Sequence, residues 1–289
     1  MYPGNFTYHS PETIEEAIGL LEQHGSEAKL LAGGHSLVPM MKLRLVDSAH
    51  LIDLKKLRSR LSYIKEEDGR VAIGALTTHH QVEASELLQA KAPLLAEAAS
   101  VIGDVQVRNM GTFGGSLAHA DPAADHPAAA LALEAELVAQ GSGGRRTVAA
   151  EDFFLGLFTT ALEPPEVLVE VGFSALPTGT GNCYLKYPHP ASGYAVCGVA
   201  ALITRDGNGN CSRCRIGITG ISDGPYRARA VEAQLEGQAV SSELIAEASQ
   251  KATDRIEPLE DFFADADYRV SLAATYVRRA LATAWERAG

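Results

Sequence analysis

Apolar residues along this chain recur with two periods, and the switches between them mark out its elements. Ile14, Ala17, Ile18 and Leu21 fall at helical spacing, the signature of one buried helix face. Ser10-Pro11-Glu12 in front of them offers a capping hydroxyl, a proline suited to the first turn and an acid suited to the positive dipole end. Gly25 supplies the stop. Ala28 to Ala32 is a short apolar run that reads as a strand entering Gly33-Gly34-His35-Ser36. Leu37 to Leu45 is apolar with Lys42 and Arg44 interspersed, and His50 to Leu54 reads as a further strand. Together they predict a compact α+β unit over residues 1–56.

A second unit follows over residues 57–178. The alternation Leu61-Ser62-Tyr63-Ile64 and the run Val71 to Leu76 predict strands, Thr78 opens a helical stretch, and another helix ends near Gly103. Gly111-Thr112-Phe113-Gly114-Gly115-Ser116 reads as a second glycine turn, and the alanine-rich Asp125 to Leu137 as one helix. Pro164, Pro165, Pro177, Gly179 and Gly181 punctuate the end of this unit. In the third unit, residues 179–289, Tyr194 to Thr204 and Cys211 to Thr219 read as strands joined by a hairpin over Asp206 to Asn210. Helices near Ser241 to Ile256 and Asp267 to Arg287 close the chain.

Composition narrows the function classes. At 289 residues and 46% hydrophobic, the chain can bury substantial cores. A formal net charge of -11 argues against a nucleic-acid footprint. The basic clusters Lys55, Lys56, Arg58, Arg60 and Arg227, Arg229 read as solvated surface or partner contacts. Residues 1–6 lack a basic stretch followed by an apolar run, and no apolar run approaches the roughly 20 residues of a membrane span. Four cysteines are too few for a disulfide framework, so a cytoplasmic setting is expected. Cys211 and Cys214 stand three apart in an alternating strand; their sulfurs are expected to diverge, and no protein-bound metal is expected.

The chemistry on offer lies in the two Gly-Gly segments. Glycine lets backbone approach a ligand and lets successive amides form a concave anion nest, which a dinucleotide diphosphate requires. Ser36 and Ser116 follow the two glycine pairs at equivalent places and Thr112 adds a third hydroxyl. Each suits either a phosphate oxygen or a helix cap. Neither segment has the G-x-G-x-x-G spacing with an acid about 20 residues on, and no Gly-Lys-Ser/Thr run exists. No Ser-His-Asp or paired-carboxylate signature marks a catalytic residue.

Three runs carry a resemblance: Ala32-Gly33-Gly34-His35-Ser36-Leu37-Val38-Pro39-Met40-Met41-Lys42, Ile102-Gly103-Asp104-Val105-Gln106-Val107-Arg108-Asn109, and Gly111 to Ser116. Over essentially its whole length the chain resembles the FAD-binding medium subunit of the xanthine dehydrogenase family of molybdenum hydroxylases. The nearest likeness is to the aerobic carbon monoxide dehydrogenase type. The resemblance implies a two-subdomain FAD-binding fold of the vanillyl-alcohol-oxidase (PCMH) type plus a C-terminal α+β domain with an antiparallel sheet. It implies that Ala32, Gly33, Gly34, His35, Ser36 and Leu37, with Thr112, Gly114, Gly115 and Ser116, hold the FAD diphosphate. Asp125 would reach ribityl and ribose hydroxyls, and Lys186 and Tyr194 would lie near the isoalloxazine. Implied partners are a large molybdenum-cofactor subunit and a small subunit with 2Fe–2S clusters, as a dimer of heterotrimers, with quinone, cytochrome or NAD as acceptor. The location implied is cytoplasmic, including a peripheral position at the inner membrane face. His189-Pro190-Ala191-Ser192-Gly193 departs from the basic stretch relatives often carry there. Two other readings stay open: a self-contained oxidase with covalent flavin at His35, although Leu31 stands where such enzymes place an arginine, and an assembly protein without flavin.

Overall fold

The computed structural model describes residues 2–289. Near the N-terminus, the strands Thr7–His9, His50–Asp53 and Ala28–Leu31 form a three-stranded parallel sheet, with His50–Asp53 in the middle. The helix Ile14–His24 lays the expected stripe of Ile14, Ala17, Ile18 and Leu21 on this sheet, against Ile52, Leu54 and Leu57. Each fully buried side chain of this size contributes about 1.5–3 kcal/mol. The helix is capped by Thr13, whose hydroxyl accepts from the Glu16 amide at 3.1 Å, and not by Ser10. Thr13-x-x-Glu16 is the capping spacing, and it sets the first turn three residues later than the Ser10-Pro11-Glu12 signal suggests.

The second sheet has five antiparallel strands in the order Ile64–Glu67, Arg70–Gly74, Val167–Ser174, Glu136–Gly141, Gly144–Ala149. Short helices pack on it through Leu88, Leu94, Leu95, Phe113 and Leu117. Thr78 caps the helix His79–Glu83 with a full capping box to Gln81. The alanine-rich helix is shorter than the sequence predicts: it covers Asp125–Ala132, turns through Glu134 at φ 50°, and Leu137 already belongs to the strand Glu136–Gly141. Leu137 is fully buried in that strand, so sheet pairing overrides helix propensity there.

A third sheet, Thr180–Pro188, Ala195–Arg205, Cys211–Thr219 and Tyr226–Arg227, is antiparallel throughout. Its second strand is buried on both faces. Ala200 and Leu202 enter the core of the five-stranded sheet's helices, and Val199, Ala201 and Ile203 enter the core under the C-terminal helix Ala266–Arg287. The period of two thus joins two cores through one strand. The small side chains of Asp125–Ala132 let that helix come so close that a Cβ on Gly217 would lie 2.8 Å from the Ala128 carbonyl carbon.

Two surface readings change. Arg227 is not solvated: it is 8% exposed and its guanidinium grips Glu232 at 2.6 and 2.7 Å. Cys211 and Cys214 do not diverge. The ladder slips between Thr204–Arg213 and Arg205–Cys211, leaving Ser212 as an extra residue, and both sulfurs enter the same C-terminal core. A bulge resets the alternation that a regular strand would impose. Among the described residues all four cysteines are free and buried.

Candidate functional site

Residues from all three sheets and the loops between them line one cleft of about 710 Å³, within the ~300–1,000 Å³ range of small-molecule and cofactor sites. All thirteen residues singled out from the sequence line it: Ala32, Gly33, Gly34, His35, Ser36, Leu37, Thr112, Gly114, Gly115, Ser116, Asp125, Lys186 and Tyr194.

The first wall follows from the strand Ala28–Leu31, which delivers residues 32–36 to the start of the helix Leu37–Lys42. Gly34 takes φ 76°, a conformation other residues reach at a cost. Among the described residues, the amides of Gly33, Gly34, His35, Ser36 and Leu37 have no acceptor in the chain; the first amide bonded back is that of Val38, to the Gly34 carbonyl at 3.0 Å. Ser36 precedes the helix without capping it. His35 turns its ring back on its own loop, with Nδ1 3.1 Å from the Gly33 carbonyl oxygen.

The second wall corrects the sequence reading. Residues 113–119 are a helix, Phe113–His119, with Gly114 and Gly115 inside its first turn rather than in a free turn. Its leading amides are taken: Phe113 donates to Thr77, Gly114 to Ala75, Gly115 to the Thr112 hydroxyl at 3.1 Å, and Ser116 to the Thr112 carbonyl. Thr112 is therefore a cap, and of the two segments the first alone keeps a row of amides without acceptors. The glycines of the second wall serve close approach. A Cβ on Gly114 would lie 2.7 Å from the Ala75 backbone, and one on Gly33 would lie 2.6 Å from Gly111 Cα. The two Gly-Gly segments thus touch through backbone.

Deeper in, Asp125 is 4% exposed. Its Oδ1 accepts from the Tyr184 hydroxyl at 2.6 Å and its Oδ2 from Lys186 Nζ at 2.9 Å. Lys186 also donates to the Val101 carbonyl at 3.0 Å. Burial pushes the Asp125 carboxyl up, against the opposing pull of Lys186 and Tyr184. Each carboxylate oxygen retains a lone pair for a ligand hydroxyl. Tyr194 sits on the rim, 42% exposed, on the turn closed by Gly193 N–H to His189 O at 2.9 Å. Burial, followed by the negative Asp121, raises its phenol.

Several residues lining the cleft or packed behind it escaped the sequence reading. Tyr184 stands two positions before Lys186 on the strand Thr180–Pro188, so strand alternation already places both on the face toward Asp125. His79 lines the cleft and shares a hydrogen bond with buried His126 at 3.1 Å. Burial, then the neighbouring His35, brings His79 down to about 4; burial also holds His126 well below its usual value. His126 Nδ1 has no partner among the described residues. Phe158 reaches the cleft from the hairpin Phe154–Gly156/Thr159–Thr160 and packs on His119, their ring centroids 5.0 Å apart. No local pattern in the sequence marks these histidines as neighbours.

Comparison with known proteins fits this geometry. Residues 4–175 match the family described as the FAD binding domain in molybdopterin dehydrogenase, and residues 182–284 the CO dehydrogenase flavoprotein C-terminal domain. The carbon monoxide dehydrogenase medium chain of Hydrogenophaga pseudoflava is 45% identical over 287 residues, with 99% of each chain covered. A solved carbon monoxide dehydrogenase from Hydrogenophaga pseudoflava, lacking the Mo-pyranopterin moiety of the molybdenum cofactor, superposes with a TM-score of 0.96 at 47% identity over 99% of each chain. The 6-hydroxypseudooxynicotine dehydrogenase complex subunit alpha of Paenarthrobacter nicotinovorans is 37% identical, with 100% of this chain and 97% of the relative covered. The chain belongs to the FAD-binding medium-chain family of molybdenum hydroxylases, of carbon monoxide dehydrogenase type, and is an oxidoreductase subunit with FAD as its cofactor.

Proposed function

We propose that the chain seats its FAD diphosphate on the amides from Gly33 to Leu37, with the hydroxyls of Ser36, Thr112 and Ser116 around it. The observation that carries this reading is the row of five backbone amides without acceptors on the wall of a cleft of suitable volume. Successive amides with no acceptor in the chain, turned to one cleft, are donors suited to an anionic ligand. Asp125, steadied by Tyr184 and Lys186, would accept from ribityl or ribose hydroxyls. Lys186 and Tyr194 would flank the ring system. When bound, FAD supplies both one- and two-electron redox chemistry.

The residues of this chain bind, orient and shield; none is proposed to act as nucleophile or general base. The units 1–56, 57–178 and 179–289 each contribute one wall. His35 holds its own loop and leaves the flavin non-covalent, a reading supported by Leu31 at the position where covalent histidine enzymes place arginine. The full-length likeness to medium chains runs against a self-contained oxidase.

In the assembly we place the chain between 2Fe–2S clusters of a small partner and an external acceptor, quinone, cytochrome or NAD, with molybdenum on a large partner. A dimer of such heterotrimers, in the cytoplasm or against the inner membrane face, is the proposed state. No described helix is long and apolar enough to cross a membrane. Carbon monoxide is the proposed substrate of the assembled enzyme, on the strength of the high identity to carbon monoxide dehydrogenase medium chains. Anaerobic addition of carbon monoxide to the purified complex should bleach its flavin absorbance. Bleaching by an aldehyde or N-heterocycle but not by carbon monoxide would overturn the substrate; a chain that takes up no FAD on reconstitution would overturn the cofactor site.

A further inference from the structure

Away from the cleft, three histidines distant in sequence converge on one face of the parallel sheet. His9 ends the strand Thr7–His9, His50 begins its neighbour His50–Asp53, and His24 is the last residue of the helix Ile14–His24. The parallel register sets Thr7 opposite His50 and His9 opposite Ile52. His9 and His50 therefore share a face of the sheet, two positions out of step. His9 Nε2 and His50 Nδ1 are 3.0 Å apart. The His24 ring stacks on that of His50, with centroids 3.6 Å apart and planes inclined by 13°. One ring nitrogen from each residue falls within 4.8 Å of the other two. His24 Nε2 is buried with no hydrogen-bond partner among the described residues.

Packing of this kind needs a reason. His9 and His50 share one hydrogen bond, which leaves His24 without a partner, and three protonated rings at these distances would repel. A buried imidazole nitrogen without a partner is a lone pair, or an N–H, left unsatisfied. A single divalent cation accepts all three lone pairs. Tetrahedral zinc, with Zn–N bonds of ~2.0–2.1 Å, holds its donors roughly 3.3 Å apart, close to the His9–His50 separation, and the His24 ring turns out of its stack on His50 to bring its in-plane lone pair to the same point. The site also lies at the C-terminal end of an 11-residue helix, where the dipole favours positive charge. Imidazole donors select borderline metals over magnesium or calcium.

We infer that His9, His24 and His50 form a binding site for a zinc-class divalent cation, distinct from the flavin cleft, with a fourth position left to water. Such an ion pins the end of the helix Ile14–His24 to the face of the sheet, just before the strand Ala28–Leu31 that carries the Gly33–Leu37 loop.

The test uses the full chain without an affinity tag, FAD-loaded, stripped with a chelator and titrated with Zn²⁺ against a chromophoric competitor. One equivalent is expected, with a rise in melting temperature on binding. His24→Gln removes a ligand and should weaken that equivalent by at least about 100-fold, the upper end of what loss of a mere outer-shell partner costs, with FAD content unchanged. Zinc X-ray absorption on the unmutated chain provides a readout independent of any variant's folding: three imidazoles at about 2.0 Å are expected. No bound equivalent, fewer than three imidazoles, or equal affinity in His24→Gln would each overturn the site.

Discussion

Gly33→Ala probes the contact on which the cleft depends. The added methyl would lie 2.6 Å from Gly111 Cα and 2.9 Å from the Met110 carbonyl carbon, and closer still to the Met110 oxygen. Carbon atoms rest at about 3.5–4.0 Å, so the two backbone segments must part by about 1 Å. Overpacking of this sort costs about 1–3 kcal/mol of stability. Its effect on the ligand is larger. A shift of about 1 Å takes amide donors out of the 2.7–3.2 Å range, and each hydrogen bond to a charged group contributes about 1.5–3 kcal/mol. Loss of two such bonds amounts to about 3–6 kcal/mol, or about 10²- to 10⁴-fold in affinity. The assay is FAD titration of the apo chain by flavin fluorescence, beside thermal unfolding of the same apo sample. Gly19→Ala is the control, since a Cβ there meets nothing within 4 Å in a regular helix; it should leave affinity unchanged and stability slightly raised. An FAD affinity for Gly33→Ala within threefold of the parent would refute the close contact between the two walls.

Other outcomes follow from the same geometry. Gly115→Val places a branched side chain 2.5 Å from the Thr112 hydroxyl, so the cap should break and FAD retention fall sharply; normal flavin content by absorbance would count against it. Asp125→Asn leaves Lys186, with its side chain 3% exposed, without a counter-charge, and should lower stability in urea by about 3–5 kcal/mol; an unchanged midpoint would show that the pair is dispensable. For His79, a folded value of about 4 lies below the usual 6.5. The unfolded chain therefore binds the proton first, so this contribution is complete above about pH 6.5 and is lost as pH falls toward 4, by about 3 kcal/mol. Buried His126 acts in the same direction. Urea midpoints measured from pH 7 to 4.5 should fall less steeply in His79→Gln, and parallel slopes would contradict this. Acid precipitation should leave a colourless pellet and yellow supernatant; flavin retained in the pellet would point to a covalent link at His35.

Much of the architecture was legible from period alone. The stripe Ile14, Ala17, Ile18, Leu21 formed as patterned, because burial of a periodic face decides such an element, and the strands either side of Asp206 to Asn210 lie within a residue of the expected bounds. Phe113–His119 was not readable as a helix, since two glycines in its first turn oppose helix propensity. Its cap at Thr112 and the close fit of Gly114 on Ala75 are what hold it, and the second is a tertiary fact. Likewise, one unpaired residue at Ser212 turned Cys211 to the same core as Cys214, a register slip that alternation cannot foresee. The glycine pairs announced a ligand loop, but not which of their amides would remain available. That depended on Thr77 and Ala75, residues far from the motif whose carbonyls occupy the second segment. The clusters His79–His126 and His9–His24–His50 leave no local trace, because topology alone brings their members together.

Residue-resolved amide hydrogen exchange, with and without FAD, addresses the phosphate cradle most directly. In the apo chain the amides of Gly33 to Leu37, which have no acceptors, should exchange fast, while those of Phe113 to Ser116 should be slow already. Saturating FAD should then slow the first group strongly and leave the second nearly unchanged. Equal rates for Gly33 to Leu37 in the two states, with FAD bound, would place the diphosphate elsewhere.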